Sequence, residues 1–120
     1  MEHTIFVYGT LRTGESRNHT MRDADYLGVY KTIPKYTMYN LGAFPCITFG
    51  GKTSITGDVF KIDDYTLDVC DMIEGHPDFY TRMPIELLDK SIKAEAYFMN
   101  DLKGAHYTPI LSGNWFKIFA

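Results

Sequence analysis

Glycine and proline cut the first half of this 120-residue chain into apolar runs too short to be helices. Thr4-Ile5-Phe6-Val7-Tyr8 is β-branched and aromatic and stops at Gly9, which reads as a buried strand delivering its end into a loop. Tyr26 to Tyr30, Tyr36 to Tyr39 and Cys46 to Phe49 are further short β-like segments, separated by Pro34, Gly42, Pro45 and Gly50-Gly51. Gly57 to Ile62 alternates and continues the pattern. Many short strands with frequent turns predict a curved sheet or a small barrel.

One window escapes this punctuation. Asp63-Asp64 supplies carboxylates that cap free amides and sit well at the positive end of a helix, and Gly75 and Pro77 mark its end. At 100° per residue, Tyr65, Val69, Met72 and Ile73 fall on one apolar stripe, with Asp68 and Asp71 directed to solvent. Glu74 falls on the side shared with Leu67 and Cys70. Arg82 to Leu88 and Ile92 to Met99 read as two strands of a hairpin turning at Asp89-Lys90-Ser91. The tail, Ser112 to Phe116, is aromatic and is expected to pack back on the body. The reading is a single domain over residues 1–120, of mixed α+β class, with a short helix or turn at Asn18-His19.

Composition narrows the function. The chain is 45% hydrophobic and 22% charged, which suits a globular core and not a disordered chain. Net charge is -3, and no window gathers Lys and Arg into a stripe for phosphate backbones, so nucleic acid is not an expected partner. Residues 61–120 carry ten acidic against six basic groups, with much of the excess between Asp63 and Asp78. The apolar runs fall far short of the roughly 20 residues that span a bilayer, and the start lacks a basic signal region. A cytoplasmic location without membrane association is expected, with Cys46 and Cys70 as free thiols and a monomer as the default.

There is no P-loop, GxGxxG or CxxC, and the four histidines lack ligand spacing, so the expectation is chemistry without metal or cofactor. A nucleophilic role for Cys46 is outweighed by that of a small core residue. Two features stand out. The loop after Tyr8 could turn backbone N–H groups toward an anion or a polarised carbonyl, although a simple glycine turn explains it as well. Glu74, in the last turn of its helix, meets the negative end of the macrodipole, and partial burial would raise its pKa toward the range of general acid and base work. A solvated glutamate in an acidic helix is the competing reading.

Taken together, Val7-Tyr8-Gly9-Thr10-Leu11-Arg12, Gly14, Asn18-His19, Gly42-Ala43-Phe44-Pro45, Gly50, Gly57-Asp58-Val59-Phe60, Leu67-Asp68, Ile73-Glu74-Gly75 and Phe79-Tyr80-Thr81-Arg82 resemble the γ-glutamyl cyclotransferase-like family, in particular its γ-glutamylamine cyclotransferase and AIG2-like branch. The resemblance implies a mixed α+β fold around a small β-barrel, with Glu74 as the catalytic acid/base and Tyr8, Gly9, Thr10, Leu11 and Tyr80 binding substrate. The implied reaction closes a γ-glutamyl group onto its own α-amine, giving 5-oxoproline and a free amine. Tyr80 serves equally well as a packed aromatic. Arg12 either meets the substrate carboxylate or ties the loop to the acidic helix, the second being preferred. Asn18 and His19 brace the loop, Arg82 pairs with an acidic neighbour, and Trp115 either walls the pocket or packs in the core, with the core preferred. A non-catalytic small-metabolite-binding module on the same fold is the alternative, and an interaction protein using its tyrosines is a third reading.

Overall fold

A computed structural model of the chain describes residues 1–100, 102 and 106–115. Eight strands and one α-helix are present among them. Strand β1 (His3–Val7) lies at the centre of a five-stranded sheet. It is antiparallel to β5 (Thr56–Ile62) and parallel to β7 (Ala94–Phe98). The outer strands are β2 (Asp25–Lys31), beside β5, and β6 (Thr81–Ile85), beside β7. A second sheet has the order β4-β3-β8, from β3 (Tyr36–Asn40), β4 (Pro45–Phe49) and β8 (Thr108–Pro109). The α+β class stands, but the strands form two open sheets and not one closed barrel. The sheets meet where the Met99 N–H, just past β7, donates to the Ile47 carbonyl of β4 at 3.0 Å, while Thr32 bridges Leu87 between the ends of the five-stranded sheet's two outer strands.

Alternation in β1 divides the core. Phe6 and Tyr8 face the second sheet, packing with Met38, Ile47, Val59, Phe98 and Trp115. Ile5 and Val7 face the other way, with Phe60, Ile62, Leu67, Cys70 and Tyr97, under helix α1 (Asp64–Glu74). Because both faces are covered, almost every residue of β5 is buried, Val59 on one face and Asp58 on the other, in phase with Phe60 and Ile62. Pro84 sits in β6, an edge strand, where its missing N–H costs no ladder bond. The hairpin turn is held by Asp89, whose carboxylate accepts from the Ser91 N–H and Oγ at 3.0 and 2.6 Å.

The helix begins and ends where the sequence places it. Asp63 caps it, accepting from the Thr66 N–H at 2.8 Å, and Gly75 closes it at φ 68°, a conformation few side chains tolerate. Its orientation differs from the expectation. Tyr65 and Met72 are 76% and 74% exposed, while Leu67 and Cys70 are buried. The helix therefore packs through the Leu67, Cys70, Asp71 and Glu74 face. Asp71, expected in solvent, takes hydrogen bonds from Arg82 on β6 and from the Tyr97 hydroxyl on β7, the latter at 2.7 Å. Two strand residues supply polar partners for a charged position on the buried face, which periodicity of apolar residues alone does not register.

The loop after β1 is fixed by a second buried charge. Arg12, 5% exposed, lies 3.6 Å from Asp58 and donates to the Asn114 Oδ1 at 2.6 Å. The other Asp58 oxygen accepts the Thr13 N–H at 2.8 Å. Arg12 thus ties the loop to β5 and the tail, not to the acidic helix. Trp115 is fully buried in the core between the sheets, and Phe116 lies outside the described residues. Half of the described aromatics are buried in the core, whereas Tyr26, Phe49, Tyr65 and Phe79 are at least half exposed. Removing a partner from a buried ion pair generally costs about 3 kcal/mol or more. Asp58→Ala is therefore expected to lower the urea midpoint substantially, and replacing Arg12 and Asp58 together by apolar residues is expected to recover part of the loss; equal midpoints for Asp58→Ala and wild type would remove this role.

Candidate functional site

Five segments converge on a cavity of about 190 Å³. Strand β1 contributes Phe6, Val7 and, just past its end, Tyr8, and the following loop contributes Gly9, Thr10 and Leu11. Phe44 and Pro45 come from the start of β4, Ile73 and Glu74 from the end of α1, Phe79 and Tyr80 from the turn after it, and Tyr97 from β7. All six residues singled out in the sequence, Tyr8, Gly9, Thr10, Leu11, Glu74 and Tyr80, line this one space.

The loop is short and heavily braced. The Arg12 N–H donates to the Gly9 carbonyl at 3.0 Å, Glu15 to Arg12 at 2.9 Å, and Arg17 to Thr10 at 2.8 Å. The Asn18 side chain donates to the Leu11 carbonyl at 3.1 Å. These bonds use carbonyls of the turn and leave the N–H groups of Gly9, Thr10 and Leu11 out of the bracing. Gly9 also sits against Pro45, where a Cβ would come within 2.9 Å of the proline ring. Only glycine lets the loop backbone approach β4 this closely.

Glu74 is the acid of the cavity. Burial pushes its carboxyl up to about 7, with the charge of Arg17 opposing the shift. Among the described residues the carboxylate has no hydrogen-bond donor, and it ends a helix whose dipole disfavours its charge. Two buried phenols stand with it. The Tyr8 hydroxyl donates to the Tyr97 carbonyl at 2.6 Å, and the Tyr80 hydroxyl donates to the Pro45 carbonyl at 2.7 Å. Burial, with the neighbouring Glu74 charge, raises both phenols above their ordinary values. Each proton is committed, so each oxygen is left as an acceptor toward the cavity.

Helix α1 is pinned at the turn preceding Glu74. Asp71 holds Arg82, which also lies 3.3 Å from Glu95 on β7, so Arg82 pairs with two acidic groups. The Phe79 N–H donates to the Gly75 carbonyl at 2.8 Å, and Tyr80 to Glu74 at 3.3 Å, which folds the segment after the helix back over its end. Phe79 packs edge-on against both Tyr80 and Phe44, at 4.9 and 6.2 Å between ring centres. Phe79 and Phe44, more exposed than Tyr80, form part of the rim.

Sequence reasoning did not single out Arg17, Phe44, Phe79 or Tyr97 as site residues. Phe44 and Phe79 were quoted only as family motif positions, and Arg17 lies in a loop with no periodicity to orient it. Arg12, in turn, does not line the cavity. Cys46 and Cys70 are buried free thiols, both pushed up to about 12 by burial, so neither is a thiolate near neutral pH. Among the described residues no three or more of His, Cys, Asp and Glu gather as a metal site, and no helix is long and apolar enough to cross a membrane.

Comparison with known proteins gives a family from sequence and a shared fold from solved structures. Residues 5–117 match the model of the gamma-glutamyl cyclotransferase, AIG2-like family. A Vibrio cholerae protein named as a candidate gamma-glutamylcyclotransferase is 42% identical over 86 residues, 72% of this chain and 74% of the relative. The gamma-glutamylcyclotransferase family protein ytfP of Citrobacter rodentium is 37% identical over 92% of this chain and 93% of its own. An uncharacterised protein of Pyrococcus horikoshii superposes with a TM-score of 0.80 at 26% identity, covering 98% of this chain and 92% of that one. By its motifs, its fold and its relatives, this chain belongs to the gamma-glutamyl cyclotransferase, AIG2-like family.

Proposed function

We propose that the protein is a γ-glutamyl cyclotransferase that converts a γ-glutamylamine, or a related γ-glutamyl amide, to 5-oxoproline and the free amine. The observation that carries this reading is the Glu74 carboxyl, held near neutrality in a cavity that also presents the Gly9 to Leu11 loop. An α-ammonium group is mostly protonated at neutral pH and cannot attack a carbonyl. A carboxylate with a pKa near 7 is matched to removing that proton and returning it.

In this scheme Glu74 takes a proton from the α-ammonium, and the freed amine attacks the γ-carbonyl carbon of the same molecule. A C–N bond forms, and the carbonyl oxygen becomes an oxyanion facing the loop amides. Protonated Glu74 then gives its proton to the departing nitrogen, the old amide C–N bond breaks, and the carboxylate is restored. The second proton lost from the α-nitrogen ends on the released amine as its ammonium. No electrons change hands, and no co-reactant is required. The cavity's main task is to fold the substrate, since well-oriented intramolecular attack reaches effective molarities of about 10⁵ M. Tyr8 and Tyr80, with their protons committed to carbonyls, offer oxygens to the α-ammonium.

The test is 5-oxoproline release by wild type and Glu74→Gln from γ-glutamylamines, γ-glutamyl dipeptides and glutathione. Glu74→Gln is expected to lower turnover by about 10²-fold or more while remaining folded. Retained turnover in that variant would reject Glu74 as the acid/base. Absence of release from every member, with a γ-glutamyl compound still bound, would favour the binding module instead.

Two pH effects follow from the raised carboxyl. Glu74 must be ionised to act as base in the free enzyme, so kcat/KM should rise with pH through about 7. A profile flat from pH 5 to 8 would contradict it. The same shift affects stability with the opposite sense. The folded carboxyl, at about 7, lies above its ordinary 4.5, so the folded chain binds more protons than the unfolded one between those values. Stability from this group is complete below about 4.5 and is lost as pH rises through 7, by at most about 3 kcal/mol. Glu74→Gln escapes that loss, so its Tm should gain on wild type as the buffer moves from pH 5 to 8, and a constant difference across that range would refute the linkage.

A further inference from the structure

We propose that Arg17 is the specificity residue for the substrate's free α-carboxylate, an inference that rests on the cyclotransferase reading above. Among the described residues Arg17 is the one cationic side chain lining the cavity, and it is exposed at the rim while the phenols lie buried within. Its backbone is fastened to the loop through the Thr10 carbonyl at 2.8 Å, which holds this position beside the site. Among the described residues no carboxylate lies within ion-pair distance of its guanidinium. The other arginine of the segment, Arg12, is turned away and buried against Asp58 and Asn114.

The substrate's own covalent structure supplies the remaining constraint. The α-ammonium and α-carboxylate are attached to the same carbon. An ammonium placed against Glu74 therefore brings the carboxylate next to the nearest cation. Arg17 is close enough to act on both Glu74 and Tyr80 electrostatically. A guanidinium meets a carboxylate with two parallel N–H donors, which fixes direction as well as distance. Arg17 so orients the α-carbon, and the γ-carbonyl on the opposite end of the side chain reaches the loop.

The experiment uses L-γ-glutamyl methylamide, L-γ-glutamyl-L-alanine and ε-(L-γ-glutamyl)-L-lysine, each beside its glutamyl α-carboxamide counterpart. Wild type, Arg17→Gln and Arg17→Lys are compared by release of 5-oxoproline or its carboxamide. Wild type should prefer the acid by about 10- to 100-fold in kcat/KM, the range for a hydrogen bond to a charged group. Arg17→Gln should lose that preference mainly through KM, and Arg17→Lys should restore part of it. A second readout separates this role from loop bracing. The groups facing Glu74 are Arg17, Tyr8, Tyr80 and Cys70, and the last three are neutral below pH 9. Removing Arg17 therefore takes away the one charge among the described residues that favours the carboxylate, and the acidic limb of kcat/KM should move to higher pH. Release by wild type with no acid preference, or with the preference intact in Arg17→Gln, would overturn Arg17 and leave the cyclotransferase reading standing. No release from any compound would overturn both.

Discussion

Asp58 is a buried carboxylate that joins three parts of the chain far apart in sequence. Its two oxygens face the Arg12 guanidinium and the Thr13 N–H, and Arg12 reaches on to Asn114. Two charges inside a core are tolerable only when each has partners, and here the partners are the loop, β5 and the tail. The Gly9 to Leu11 turn is held on one side by this clamp and on the other by close packing of Gly9 on Pro45. A loop fixed in this way keeps its backbone in place, as the oxyanion stabilisation proposed above requires.

The other side of the cavity works on the opposite principle. Glu74 gains little from its surroundings that a carboxylate wants: beyond the charge of Arg17, it is buried without a described hydrogen-bond donor at the negative end of its helix. Asp71, one turn earlier, is fully satisfied by Arg82 and Tyr97 and anchors that end of the helix. The satisfied acid holds the unsatisfied one in place. A stability cost at Glu74 and a rigid mount at Asp71 together give a group whose proton is neither tightly held nor freely lost near neutral pH.

The strands and the helix limits were legible in the sequence because they are written in local chemistry. Gly9 ends β1, Asp63 caps α1 and Gly75 closes it, and each signal acts within a few residues. The helix's facing was not legible. Tyr65 and Met72 make as good an apolar stripe as Leu67 and Cys70, and the choice is made by Arg82 and Tyr97, which lie on other elements. The short strand β8 was missed for a related reason, since two residues carry no period. At the site, Tyr8 to Leu11, Glu74 and Tyr80 were found through motif order and resemblance. Arg12 was placed against the wrong acid, because its pairing with Asp58 joins positions far apart in sequence and no local pattern records it.

The Arg12 to Asn114 hydrogen bond spans 102 positions. During synthesis the N-terminal loop leaves the ribosome first, at roughly 5–20 residues per second, and its partner follows many seconds later. Central strand β1 likewise waits for β5 and β7. Contacts this distant in sequence are formed late, because closing a long loop costs entropy before the contact repays it. A nascent chain therefore carries the apolar Ile5 to Tyr8 strand without β5 until about half of these residues are made, and with its β7 edge unpaired for longer still, and the clamp that fixes the loop after it closes only when Asn114 arrives.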